Sequence, residues 1–156
     1  EVFGADRTIY WKGYRVGGMP QNAGSLGFKY NSPKYWFAGI TGNWFGNIYL
    51  DPNPDRRTAE ALENLVTSDP QWDDLLEQTK LDDNVTVDLF AGKSWMLKRK
   101  YRLAVNLSVS NLLDNQEFRI GGFEQLRYDR TQVDKFPPKY SYLFGRNYFA
   151  MVTFSF

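Results

Sequence analysis

The 156-residue chain contains no cysteine and no histidine. That removes disulfide frameworks, thiolate and imidazole metal sites, cysteine nucleophiles and histidine general bases. It also lacks a long apolar run: no stretch approaches the roughly 20 residues of a membrane-spanning helix. Mean hydropathy is negative, at −0.53. Neither feature excludes a membrane β-barrel, whose strands hide their apolar residues by alternation. Charge is nearly balanced, with 19 Lys and Arg against 18 Asp and Glu. The longest basic run is Lys98-Arg99-Lys100, so nothing marks a nucleic-acid surface. No nucleophile and base stand in a recognisable pattern, so no enzymatic activity, catalytic residue or cofactor is expected. The acidic residues Asp73, Asp74, Asp82 and Asp83 lack the spacing of a calcium loop and read as a solvated face, so no metal site is expected.

Aromatics, by contrast, are abundant: 5 Trp, 10 Tyr and 12 Phe. Many fall in segments with a period of 2, the signature of β-strands. In the terminal segment Gly145 to Phe156, one face carries Tyr148, Ala150, Val152, Phe154 and Phe156. In Tyr101 to Val109, every odd position is apolar or aromatic and the even ones are mostly polar. Val85, Val87, Leu89 and Ala91 alternate with Thr86, Asp88, Phe90 and Gly92 before Trp95, and Met96 to Arg99 join this strand to the next as a hairpin. Tyr35 to Leu50 is a long aromatic strand, preceded by a strand around Leu26, Phe28 and Tyr30 and the tight turn Asn31–Lys34. Thr8 to Val16 is a weaker strand candidate. Within the connection 51–83, Arg56 to Val66 reads as a short helix, and Gln71 to Thr79 as a helical turn behind Pro70.

Connections alternate in length: short at 31–34, long at 51–83, short at 96–99, long at 113–140. This is the pattern of an outer-membrane barrel, with short periplasmic turns and long extracellular loops. The expected fold is all-β: an antiparallel transmembrane β-barrel segment with long extracellular loops. An aromatic girdle would comprise Tyr30, Tyr35, Trp36, Trp95 and Tyr101 at the short-turn rim and Trp44 toward the other. A soluble β-sandwich also alternates, but gives no reason for the long–short rhythm of the connections.

Three stretches carry a family resemblance. Gly145-Arg-Asn-Tyr-Phe-Ala-Met-Val-Thr-Phe-Ser-Phe156 is similar to the terminal strand of TonB-dependent outer-membrane transporters. Val109-Ser-Asn-Leu-Leu-Asp-Asn-Gln116 is similar to an "NLFD" segment near the end of those barrels. Gly17-Gly-Met-Pro-Gln-Asn22, with Tyr30-Asn-Ser-Pro-Lys-Tyr-Trp36 and Asp55-Arg-Arg-Thr58, resembles a subgroup pattern found in Bacteroidetes. The resemblance implies that residues 1–156 are the C-terminal part of a TonB-dependent receptor β-barrel, supplying the last five or six of 22 strands. The plug domain and N-terminal strands would then lie outside this sequence.

The function so implied is import of a nutrient ligand across the bacterial outer membrane with TonB-coupled energy. The implied partners are outer-membrane lipid, the barrel-assembly machinery during biogenesis, TonB through the missing N-terminal region, and a surface lipoprotein. The resemblance makes Tyr148, Val152, Phe154 and Phe156 the assembly signal, a role that strand addition to a free sheet edge can fill. Ligand contacts would come from the long loops, where Arg56, Arg57, Trp72, Arg119, Phe123, Arg127 and Tyr128 offer stacking and charge. Ordinary solvated loop chemistry accounts for the same residues. Asp51 and Asp55 beside Arg56 and Arg57 suggest a loop-ordering ion-pair cluster. The alternative function is a transporter-like barrel acting as a structural scaffold in a secretion, export or assembly complex; a soluble glycan-binding sandwich is a third.

Overall fold

Strong period-2 alternation becomes strand throughout the computed structural model of the chain, which describes residues 7–63, 68, 70–127, 129, 132 and 135–156. Five long strands follow one another: β1 (Pro20–Ser32), β2 (Trp36–Tyr49), β4 (Asn84–Leu97), β5 (Tyr101–Ser110) and β8 (Asn147–Ser155). They form one sheet in the order β1-β2-β4-β5-β8, and the short β3 (Lys80–Leu81) also pairs with β2. The pairings β2–β3, β2–β4, β4–β5 and β5–β8 are all antiparallel. A separate two-stranded sheet joins β6 (Arg119–Phe123) to β7 (Lys139–Tyr142). The helical elements include a 3-10 turn at Pro54–Arg57, α1 (Ala59–Leu62) and α2 (Pro70–Leu76). The chain is therefore all-β and antiparallel. Among the described residues its main sheet is open, running from β1 at one edge to β8 at the other.

The hairpin turns follow from local chemistry. Between β1 and β2, Pro33 presets the backbone at the second position of a turn. The Tyr35 amide donates to Ser32 O at 3.2 Å, and the Lys34 amide donates to Ser32 Oγ at 3.2 Å. Tyr35 then sits at φ 59°, the left-handed residue that closes a three-residue hairpin loop. Between β4 and β5, the Lys100 amide donates to Leu97 O at 3.1 Å, while Lys98 and Arg99 lie at φ 50° and 55°. Positive φ at both central positions matches a type I′ turn, which favours Asn-Gly. Arg99→Gly is accordingly expected to raise stability by about 1 kcal/mol, read as a shift in the urea midpoint.

Contacts divide the chain into two units. A loop unit comprises Glu1–Gln21, Asn47–Asp82 and Arg119–Ser141, and a sheet unit comprises Asn22–Gly46, Asp83–Phe118 and Tyr142–Phe156. The loop unit has its own core, with Ile48, Leu50, Ala61, Leu62, Leu75 and Leu81 buried. Ile48 stands opposite Leu81 across the β2–β3 pairing. Gly122 at φ 146° allows the β6–β7 approach, since a Cβ there would lie 2.9 Å from Tyr140 Cα.

Two local expectations are corrected in this unit and a third holds. Thr8–Val16 is not a strand; it makes one bridge, Ile9 to Thr58. Gly13 turns at φ 85°, and side chains replace a ladder: the Arg15 amide donates to Gln78 Oε1 and Gln78 Nε2 returns to Arg15 O, both at 2.8 Å. The Arg56–Val66 helix is split. Thr58 is extended, ends the 3-10 turn and caps α1, its Oγ1 accepting from the Ala61 amide at 3.2 Å. Val66 lies outside the described residues. The helical turn behind Pro70 does form, with Pro70 as its first residue.

Candidate functional site

One face of the main sheet is apolar across four strands. On β2, Trp36, Ala38, Ile40 and Trp44 stand opposite Lys93, Ala91, Leu89 and Val85 of β4. Leu89, Ala91 and Trp95 in turn face Val109, Leu107 and Leu103 of β5. On β8, Phe154, Val152, Ala150 and Tyr148 complete the row opposite Leu103, Val105, Leu107 and Val109. Because antiparallel partners share a face, these side chains form one continuous surface. Its central members remain open: Ile40 is 42% exposed, Leu107 52% and Val152 67%. Exposed apolar surfaces of this breadth are, as a class, interaction surfaces.

Aromatics concentrate toward the hairpin-turn end of this face. Tyr30 meets Trp36 at 5.3 Å between ring centroids; Tyr101 stacks on Phe154 at 5.7 Å, and Phe154 meets Phe156 at 6.4 Å. Trp95 lies on the same side, opposite Leu103. Trp44 lies eight residues along β2 from Trp36. At about 3.3 Å per residue the two indoles are separated by roughly 26 Å of strand.

The opposite face is mixed. Asn43 Nδ2 donates to Thr86 Oγ1 at 3.2 Å and to Asp88 Oδ2 at 2.8 Å. Phe37 pairs with Gly92 and Gly39 with Phe90, so each ring lies over the glycine across from it. A Cβ on Gly92 would come 2.6 Å from Phe37 Cζ. The glycines thus make room for two large rings on a crowded face. Lys29 Nζ rests 4.5 Å from the centre of the Phe37 ring.

The Asn111–Asn115 segment ties the terminal strand to the sheet. Asn111 takes φ 52°, a conformation asparagine tolerates, and its side chain is buried. Its amide donates to Asp88 Oδ1 at 3.0 Å; its Nδ2 donates to Phe144 O at 3.0 Å and Asn115 O at 3.2 Å. Asp114 Oδ1 accepts from the Arg146 amide at 2.8 Å, and Arg146 Nε donates to Leu112 O at 3.0 Å. The stretch that carries the "NLFD" likeness is thus a latch between β4, the end of β5 and the entry to β8.

The Arg146 amide, then the Gln116 side chain, hold the Asp114 carboxyl below its ordinary pKa. Its contribution is complete above the unfolded-state value of about 3.9 and lost as pH falls through the lower folded value. Acidification below about pH 4 is therefore expected to loosen the entry to β8. Asp114→Asn should flatten this dependence, read from hydrogen exchange of the Arg146 amide.

In the loop unit the charged centre is Arg57, which is 1% exposed. Its guanidinium grips the Glu124 carboxylate through both terminal nitrogens, one at 2.9 Å. It also donates to Asn53 O at 3.0 Å, Glu77 O at 3.2 Å and the Tyr14 hydroxyl. The same carboxylate accepts from the Asn53 amide at 2.8 Å. Burial alone would lower the Arg57 pKa, but the Glu124 carboxylate together with the Tyr14 hydroxyl offsets it and holds the group above its ordinary value. Arg57 is therefore a buried clamp rather than an open ligand group. The expected pairing within 51–57 also gives way: Arg57 reaches Glu124, and Asp55 pairs with Arg7 at 3.3 Å.

The other loop residues expected to offer contacts are dispersed. Arg119 lies over the Tyr140 ring at 4.5 Å, Phe123 is exposed, Arg127 is exposed, and Arg56 and Trp72 are half-buried. Tyr128 lies outside the described residues. Of the assembly-signal residues, Tyr148, Val152 and Phe154 share the apolar face, and Phe156 follows β8. Tyr35 forms the turn rather than the strand.

Sequence reasoning passed over two features. Glu124 as the partner of Arg57 has no local signal, since 67 residues separate them. Lys93, the cation within the apolar face, is legible as the break in the odd-numbered series 85–97. Comparison with protein-family models, curated proteins and solved structures finds no match to this chain.

Proposed function

We propose that the chain supplies wall and loops to a β-barrel of the bacterial outer membrane that imports a nutrient ligand with TonB-coupled energy. The observation that carries the membrane part is the broad, open apolar face, paired strand to strand and banded by aromatics. Water does not tolerate such a surface, and a sheet covered on that side by lipid needs no second layer. Strand length supports this reading. β2 and β4 have 14 residues each; at a tilt of about 45° they rise roughly 33 Å, enough to cross an apolar band about 25 Å tall. The open edges at β1 and β8 would pair with further strands of a closed wall, because lipid cannot satisfy their free backbone groups.

The transport assignment rests on the likeness of the terminal strand, the latch segment and the Gly17–Asn22 stretch to TonB-dependent transporters. Two experiments separate its parts. Detergent-dependent extraction from the outer-membrane fraction, with heat-modifiable migration on gels, tests the barrel; release into the aqueous phase would refute it. Ligand uptake in strains with and without TonB tests the energy coupling. Unchanged uptake, with stoichiometric co-purifying proteins, would point instead to a scaffold in an envelope complex.

A further inference from the structure

Charge in the sheet unit is segregated along the strands, apart from Lys29 within β1 and Arg146 beside Asp114 at the entry to β8. Its four acidic residues, Asp83, Asp88, Asp114 and Glu117, lie at or toward the long-loop ends. The two hairpin turns carry Lys34, Lys98, Arg99 and Lys100, with Arg102 just inside β5. Lys93 is set apart from these. It is the one charged side chain on the apolar face among the described residues, opposite Trp36 and Val105 and with Nζ 5.4 Å from the Trp95 ring centre. Beside it the surface dips into a groove of about 390 Å³, floored by Ala38 and Ala91 and walled by Trp36, Trp95, Val105 and Leu107.

Position gives Lys93 its chemistry. Four residues separate it from Leu97 at the hairpin, about 13 Å along the strand, or roughly 9 Å along the normal at a 45° tilt. A lysine stem covers most of that interval along apolar surface and carries its ammonium toward the headgroup level. Uncompensated, such a cation destabilises a lipid-facing strand. Here it stands between an acyl-sized apolar groove and a cationic rim, a pairing complementary to an anion with a hydrocarbon tail.

We propose that the groove beside Lys93 binds one anionic phospholipid from the leaflet at the hairpin-turn side. An acyl chain lies over Ala38 and Ala91, and Lys93 holds the phosphate, supported by the turn cations. The inference rests on the membrane reading above and names the lipid class that this part of the wall selects. The small side chains of Ala38 and Ala91 form the floor; larger ones would fill it. Trp36 and Trp95 flank the chain near the depth of its carbonyls, where indoles favour the interface.

The test uses the intact protein in phosphatidylcholine vesicles containing one fifth phosphatidylglycerol, with either lipid brominated on its acyl chains. Trp95 emission is isolated as the difference between the wild type and Trp95→Phe. One lysine near an anionic surface corresponds to about fivefold local enrichment. Per mole of lipid, brominated phosphatidylglycerol should therefore quench Trp95 more strongly than brominated phosphatidylcholine. Lys93→Gln should shrink the difference to what the turn cations alone sustain while leaving insertion intact, and Ala91→Leu should weaken quenching by both. Equal quenching in the wild type, or preference unchanged in Lys93→Gln, overturns the lipid site while the barrel reading stands. Absence of quenching by either lipid overturns both.

Discussion

Glu124→Gln is expected to destabilise the loop unit by about 3–5 kcal/mol, the cost of leaving a buried cation without its counter-charge. The substitution keeps size and one acceptor, so the loss isolates charge and the second arm of the fork. Arg57 cannot escape to solvent, because its other donors are held by Asn53 O, Glu77 O and the Tyr14 hydroxyl. Arg57→Lys should cost nearly as much, since a point charge cannot span both carboxylate oxygens and the surrounding carbonyls. The double change Arg57→Met with Glu124→Leu should recover only part of the loss. It removes both charges but strands the Asn53 amide that Glu124 accepts. Hydrogen exchange gives the readout: amides of β3 and residues 119–124 should lose protection, while those of β4 and β5 keep it. Uniform loss across the chain, or none, would refute the clamp.

That clamp also shows where reading a sequence stops. Strands were legible because their alternation is local: in Tyr101–Ser110 each residue announces its own face. Once Leu97 and Tyr101 close the hairpin, the remaining partners of β4 and β5 follow by counting. Asn111 was legible as a turn residue, since asparagine tolerates positive φ, but its reach to Phe144 O depends on a strand that returns 33 residues later. Thr8–Val16 misled because a few alternating residues outweighed Gly13. The Arg56–Val66 helix misled because Thr58, a cap by chemistry, sits inside the apolar periodicity. Arg57 and Glu124 meet only when two long connections fold on each other, and neither segment has a period to betray it. The apolar face was therefore open to derivation strand by strand, whereas the loop centre was not.

Leu107→Arg should separate a lipid-facing wall from every aqueous alternative. Leu107 lies mid-strand on the apolar face, between Ala91 and Ala150. If hydrocarbon covers it, an arginine at that depth costs about 2–4 kcal/mol. Ser108→Arg is the matched control: the next residue on the same strand, pointing to the mixed face between Phe90 and Phe149. It should cost far less, because that face already holds Lys29, Asp88 and Arg102. Urea unfolding of protein inserted in vesicles measures both. The aqueous alternative predicts another ordering. On a sheet whose apolar face met water, arginine at Leu107 would be neutral and would improve solubility, since the native side chain there is already 52% exposed. A protein layer over the face would make both positions sensitive to that layer's removal and neither to lipid. A large penalty at Leu107 that appears in vesicles, with little at Ser108, is consistent only with a wall whose odd-numbered β5 residues face hydrocarbon. A neutral Leu107→Arg would return the sheet to water and remove the basis for the transporter reading.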